Sequence, residues 1–302
     1  MKQMPQTERF GLQRKIVAAM TSAGWRQTPH ACFIYEAEVT GLMEVLKELN
    51  AGRDFSDAIT INTAMLKIIV EGIKACPKMN GHIRYNAFLA GGSVTTFEQI
   101  DVTLPVILDR NTMMTLNIHG MEQKSISGIR DAVADAVRRA KNSNLQQVMF
   151  EVAMHDTLLE LRRGRVFRAL GRLLGVWLEG GQKQLLHGRA KREYQAIPET
   201  ERLTRQDLEQ GTVTVTNPGM LYKRWDGECV MLEIVPPQIA AVGINMVRDR
   251  AVVDTDGTIR AGKIMALTIA FDHRALDGAD LVPFVARVDR ILRAPEMLRD
   301  WI

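Results

Sequence analysis

Two spacings of apolar residues alternate along the chain. Over residues 60–75 and 279–292 they recur every three or four positions, which predicts amphipathic helices. In Cys32-Phe33-Ile34-Tyr35-Glu36-Ala37-Glu38-Val39, and again where Met114, Leu116 and Ile118 alternate with Thr115, Asn117 and His119, they recur every second position. That period predicts strands, the second with Thr115, Asn117 and His119 on a wet face. Residues 10–24 read as a further helix, with Leu12, Ile16 and Ala19 on one face and Arg14 and Lys15 on another. It ends at Thr28-Pro29, because the residue before a proline is steered out of the helical region. Thr40 is placed to cap a short helix to residue 49 that turns Leu42, Val45 and Leu46 inward.

Short β-like pieces are predicted at residues 82–85 and 88–90, a strand over 100–108, and a charged surface helix over 125–142. The apolar run over 264–270 also reads as a strand. Asp254-Thr255-Asp256-Gly257 forms a turn before it. Strands interleaved with helices make this an α/β chain. No repeat or low-complexity tract interrupts it.

Residues 152–200 break the rhythm. Leu159, Val166, Leu170, Leu173 and Trp177 form an apolar stripe at helical spacing, with Arg162, Arg165, Arg168 and Arg172 mostly elsewhere on the helix. A basic tail follows, with Lys183, His187, Arg189, Lys191 and Arg192. Gly164, Gly171 and Gly175 each weaken an isolated helix by about 1 kcal/mol relative to alanine, so this element gains its order from what it touches. Four surfaces answer that description: the chain's own domain or a neighbouring subunit, an acyl-chain pocket, an acidic carrier protein, or an anionic membrane surface met through residues 157–192.

Composition narrows the function classes. The 302 residues are 46% hydrophobic and 25% charged, an ordinary globular balance, and the net charge of +4 is well short of a nucleic-acid-binding protein. No nucleic-acid partner is therefore expected. Cys32, Cys76 and Cys229 are odd in number and far apart, without a CxxC, which fits a reducing cytoplasm rather than a disulfide scaffold or a zinc site. They read as core residues. No bound metal is expected, and no apolar window reaches the roughly 18 residues of a membrane span.

The stretch richest in chemistry lies near the C-terminus. An apolar run, Ile264-Met265-Ala266-Leu267-Thr268-Ile269-Ala270, delivers Phe271-Asp272-His273-Arg274-Ala275-Leu276-Asp277-Gly278 to the mouth of a helix. A histidine leaving a buried strand can exchange a proton near neutral pH, and a glycine permits the tight turn. The same histidine would also serve as a plain hydrogen-bonded structural group.

His-Xaa-Xaa-Xaa-Asp-Gly after a hydrophobic strand resembles the signature of the chloramphenicol-acetyltransferase-like superfamily, and within it the catalytic domain of the dihydrolipoamide acyltransferases of 2-oxoacid dehydrogenase complexes. Other motifs agree in order. Arg14-Lys15 resembles a basic pair in the family's first helix, Pro29-His30 the opening of its first strand, and Cys76-Pro77-Lys78-Met79-Asn80 its Pro-Xaa-Xaa-Asn turn. Ile100-Asp101-Val102-Thr103 resembles its Val-Asp-Ile-Gly strand without the glycine. Gly211-Thr212-Val213-Thr214-Val215-Thr216-Asn217-Pro218-Gly219 resembles Gly-Thr-Phe-Thr-Ile-Ser/Thr-Asn-Xaa-Gly, and Val235-Pro236-Pro237-Gln238 resembles Asn-Pro-Pro-Gln with the asparagine replaced. The likeness covers about residues 9–145 and 200–302, and the insertion at about 152–200 is the departure.

The resemblance implies a single acyltransferase catalytic domain over 1–302, an α/β sandwich with a large mixed β-sheet flanked by helices. It implies a homotrimer, or a higher multiple of three, with the site between subunits. His273 is then the general base and Thr216 of a neighbour the oxyanion donor. Asp277 holds the histidine's turn through an arginine, for which Arg14 is the guess. Coenzyme A takes part as substrate, and acyl groups other than aminoacyl pass directly between its thioester and a thiol, hydroxyl or amine. The acceptor is a lipoyl or acyl carrier protein or a small molecule. No Asp-Lys-Ala lipoylation turn occurs, so a lipoyl group is expected on another polypeptide, in a stand-alone cytoplasmic enzyme. A non-catalytic scaffold or core subunit of a 2-oxoacid dehydrogenase-like complex is the alternative. A peptide-synthetase condensation domain would show His-His-Xaa-Xaa-Xaa-Asp-Gly, whereas Asp272 precedes His273 here.

Overall fold

The computed structural model describes residues 10–55, 57–108, 113–162, 185–220 and 227–302. The chain divides into two compact units, one of residues 1–22 and 137–209 and one of residues 23–136 and 210–302.

The second unit holds every strand among the described residues. A six-stranded mixed sheet runs in the order β1-β8-β7-β6-β4-β5, formed by β1 (His30–Glu38), β4 (Val102–Ile107), β5 (Met113–Ile118), β6 (Val213–Thr216), β7 (Ala240–Val253) and β8 (Ile259–Asp272). β6 lies parallel to both β4 and β7, while the other pairings are antiparallel. A separate hairpin pairs β2 (Gly81–Asn86) with β3 (Gly91–Thr96).

β8 is buried almost continuously from Met265 to Asp272, which is why its sequence is an unbroken apolar run rather than an alternating one. Helices α2 (Thr40–Leu49), α3 (Ile61–Ala75) and α7 (Val282–Arg293) pack together and against β1, β7 and β8. The α3–α7 contact is close enough that a Cβ on Gly72 would sit 2.7 Å from the Phe284 ring, so only glycine fits there. Phe284 is fully buried, and its truncation to alanine is expected to cost about 3–5 kcal/mol.

The first unit takes in the described start of α1 (Leu12–Gln27), the end of α4 (Ile126–Lys141), α5 (Leu145–Arg162) and α6 (Gly188–Ala196). Its buried polar joint is Arg139 to Asp207, 2.7 Å apart. Burial pushes the Asp207 carboxyl up, but hydrogen bonds from Arg139 and Thr204 outweigh this and hold it below the usual range. In the 152–200 segment, residues 152–162 continue α5, and Arg189, Lys191 and Arg192 lie on α6. Val166, Leu170, Leu173, Trp177, Arg165, Arg168, Arg172, Lys183 and the three glycines fall outside the described residues. Among the described residues no helix is long and apolar enough to cross a membrane.

Leu42, Val45 and Leu46 are buried as the helical spacing predicts. Other local expectations are corrected. Thr40 is the first residue of α2 rather than its cap, because its hydroxyl donates to Glu38 Oε1 (3.0 Å) and accepts from Lys263 N (2.9 Å), tying the helix to the sheet edge. Thr60 does cap α3, accepting from Thr63 N at 3.1 Å. Phe88, Leu89 and Ala90 form the hairpin turn, not a strand, and Ala90 has φ +46°. Asn117 is buried, because β5 meets Gly211 on that side. Cys32 is exposed on the edge strand β1, whereas Cys76 is buried and Cys229 half-buried.

Candidate active site

The last strand of the sheet and the first meet where the chemistry is expected. His30 pairs with Asp272 at the end of the β1–β8 ladder. One residue further, His273 N donates to Pro29 O (3.0 Å), so the Pro-His pair that opens β1 also fixes the backbone at His273. Ala275 N and Leu276 N both turn back to Asp272 O, at 2.9 and 3.0 Å, closing a tight turn after the strand. Asp277 then opens a short helical turn, Gly278–Leu281, in a reciprocal capping arrangement with Asp280. That turn is pinned from the Pro77 side by Cys76 Sγ donating to Asp280 O (3.0 Å) and by Lys78 Nζ on Asp280 Oδ1 (2.6 Å).

The His273 side chain is 55% exposed, and its Nδ1 lies 3.3 Å from Asp277 Oδ1. A carboxylate on that side favours the tautomer with the proton on Nδ1, which leaves Nε2 with a lone pair to accept one. His30 differs. Its Nδ1 faces Thr28 O at 2.8 Å and its Nε2 accepts Ile234 N–H at 2.9 Å, so both nitrogens are engaged. Trp25 stacks on it, with centroids 5.4 Å apart.

Thr216 ends β6, in register with Gly243 of β7, which in turn faces Thr268 of β8. The turn after it is built tightly against β7. Two residues of β7, Asn245 and Met246, bulge opposite Ala266, and a Cβ on Gly219 would fall 2.7 Å from the Asn245 carbonyl carbon. The buried Asn245 is fully engaged, donating to Ala266 O and Thr268 Oγ1 and accepting from Cys229 N. Asn217-Xaa-Gly219 therefore owes its glycine to a close backbone approach.

Two strand spacings of about 4.8 Å and four residues of about 3.3 Å separate Thr216 from Asp272, so their Cα atoms stand roughly 16 Å apart within one chain. One chain does not bring Thr216 and His273 onto one carbonyl.

Below β6 lies a buried polar lattice. Gln238 Nε2 donates to Thr103 Oγ1 and Gly211 O, Thr214 Oγ1 donates to Gln238 Oε1 at 2.6 Å, and His82 Nε2 reaches Gly211 O at 2.9 Å. It holds β4, β6 and the segment before β7 in register, which explains the Pro-Pro-Gln motif as structural. Asp101 is a second such anchor. Burial pushes its carboxyl up, and hydrogen bonds from His119, Gln99 and Gly120 N more than offset that.

The residues that sequence reasoning did not single out are Arg274 and Tyr85. Arg274 grips the fully buried Asp272, and its guanidinium lies 5.1 Å over the Tyr85 ring. Among the described residues no three His, Cys, Asp or Glu side chains come together in a way that could hold a metal.

The model of the 2-oxoacid dehydrogenases acyltransferase catalytic domain matches residues 4–152 and 189–299. This chain belongs to that family. The match passes over 153–188, inside the segment where the sequence departs from the family's motifs. The lipoamide acyltransferase component of the branched-chain alpha-keto acid dehydrogenase complex of Pseudomonas putida is 23% identical over 291 residues, which is 96% of this chain and 52% of that protein. The chain thus spans about half the length of such relatives.

Two solved structures show the same fold. A probable dihydrolipoamide acetyltransferase from Listeria monocytogenes 4b F2365 aligns with a TM-score of 0.64 at 18% identity, over 96% of this chain and 95% of its own. The dihydrolipoamide acetyltransferase of Azotobacter vinelandii gives 0.64 at 14%, over 98% and 94%. The expected α/β fold with a mixed sheet flanked by helices is borne out.

Proposed function

We propose that the chain transfers an acyl group between a coenzyme A thioester and an acceptor thiol, hydroxyl or amine, by direct attack. His273 acts as general base through Nε2, Asp277 orients its ring, and Thr216 donates to the oxyanion. The observation that carries this is the contrast within one strand end. His273 is exposed with one nitrogen beside a carboxylate and, among the described residues, the other open, while the neighbouring His30 is fully committed. The Azotobacter vinelandii protein is described in terms of the role of a serine, a histidine and an asparagine in its catalytic mechanism, the last two four positions apart. His273 and Asp277 share that spacing.

The separation of Thr216 from His273 in one chain supports a site shared between copies, as in a trimer. A positioned base contributes about 10²–10⁴-fold and an oxyanion donor about 10²–10³-fold. The lipoamide acyltransferase relatives make dihydrolipoamide the first acceptor to try, and coenzyme A enters as substrate. A core subunit of a 2-oxoacid dehydrogenase-like complex is the second reading, since the Pseudomonas putida relative is a component of such a complex.

The test is thiol release from a panel of acyl-coenzyme A esters, with dihydrolipoamide, carrier proteins and small amines as acceptors. Wild type is expected to turn over at least one pair, and His273→Ala to lose that turnover while its oligomer stays intact. Equal turnover in the two proteins removes His273 as the base. No turnover by wild type leaves the scaffold.

A further inference from the structure

The resemblance assigns the rigidity of the histidine's turn to Asp277 paired with an arginine. Among the described residues a second carboxylate stands at the same turn. Asp277 is 78% exposed and lies against the imidazole, whereas the carboxylate paired with an arginine at this turn is Asp272, whose exposure is 0%. A carboxylate fully removed from water is tolerated only when its oxygens are satisfied. Asp272 meets that demand within its own turn. Arg274 Nε donates to Oδ1 at 2.9 Å, Arg274 Nη2 to Oδ2 at 2.5 Å, and Arg274 N to Oδ1 at 3.0 Å.

The residues on either side of His273 are therefore joined side chain to side chain by a two-pronged ion pair, with the catalytic candidate at the apex. Such a fork has a fixed geometry that lysine does not reproduce. The frame beneath it is also fixed, since Asp272 N donates to Ile239 O (2.8 Å) and His273 N to Pro29 O. On the outer side the guanidinium rests over the Tyr85 ring of β2, so the hairpin backs the clamp.

We propose that Asp272 and Arg274, backed by Tyr85, are positioning residues that aim the His273 ring. This rests on the reading of His273 as base, but it makes a separate claim about the ring. A misplacement of about 1 Å costs on the order of 100-fold in rate. Loosening the clamp without removing the base is therefore expected to lower kcat by about 10- to 100-fold and to leave KM nearly unchanged.

The experiment compares wild type with Arg274→Gln, Arg274→Lys and Tyr85→Leu in the intact oligomer. Turnover is measured with acetyl-coenzyme A and dihydrolipoamide, and with any better pair from the panel. In parallel, NMR of imidazole-labelled protein follows the His273 ring, which needs no substrate. The expected result is a folded Arg274→Gln with reduced kcat, unchanged KM, and His273 ring signals shifted and broadened. Lysine should restore part of the loss, and Tyr85→Leu should give the smallest change. A folded Arg274→Gln whose ring signals match wild type overturns the proposal, whatever its activity. If Arg274→Gln does not fold, Arg274→Lys and Tyr85→Leu decide by the same signals. If His273→Ala keeps full activity, the base reading fails while the ring measurement still decides on the clamp.

Discussion

Two histidines sit at the same end of the sheet, one residue apart in register, and they have opposite fates. His30 is enclosed by a carbonyl on one nitrogen and an N–H on the other, under a tryptophan. His273 leaves the neighbouring strand, keeps half its ring in solvent and meets one carboxylate. A histidine becomes available for proton transfer by what its neighbours leave unbonded. The residue type alone does not decide it, and neither does proximity to a motif.

The sharpest way to break that contrast is His273→Ala, for which kcat is expected to fall by about 10²–10⁴-fold with the unfolding midpoint nearly unchanged. Next comes Thr216→Ala, with an expected loss of about 10²–10³-fold. If the two residues serve one carbonyl from different copies, mixed oligomers of the two single variants should regain activity, because some sites then combine an intact histidine with an intact threonine. Failure to regain any would remove the shared site.

His30→Ala should invert the pattern. Urea unfolding is expected to show a loss of about 1–3 kcal/mol, since Ile234 N–H loses its acceptor, with kcat changed less than tenfold. A catalytic collapse at unchanged stability would erase the distinction between the two rings.

The smallest effect concerns a third histidine, His119, whose Nδ1 is 3.0 Å from Asp101. The Asp101 carboxyl titrates below its unfolded value of about 3.9. Its stabilising contribution is thus complete above about pH 4 and disappears as the pH falls through the lower folded value. Stability measured from pH 6 to 3 should decline less steeply in Asp101→Asn than in wild type.

Much of this layout was legible in the residues. The apolar run before His273 announced a buried strand, whereas the close approach of Gly219 to the β7 bulge appears only in the structure. The Asp272–Arg274 clamp was not legible, because the strand ends at Asp272 and the pair forms only where the following turn folds Arg274 back over it. Cys32 misled for a related reason. Its apolar neighbours suggested a core, and only the strand order shows β1 at the edge. Thr40 looked like a cap because its position suits one, but a β8 backbone amide, Lys263 N, claimed its hydroxyl.

The β1–β8 pairing carries a consequence for biogenesis. Among the described residues the strand nearest the start of the chain finds its sheet partner in the strand nearest the end, so the loop to be closed spans most of the polypeptide. Until that partner emerges from the ribosome, the backbone of β1 waits without the strand it pairs with. Long-range pairings of this kind close slowly and leave partly folded chains prone to stick to one another. Nascent chains halted before residue 259 should accordingly bind chaperones, and release from them should coincide with synthesis of the strand that ends at Asp272.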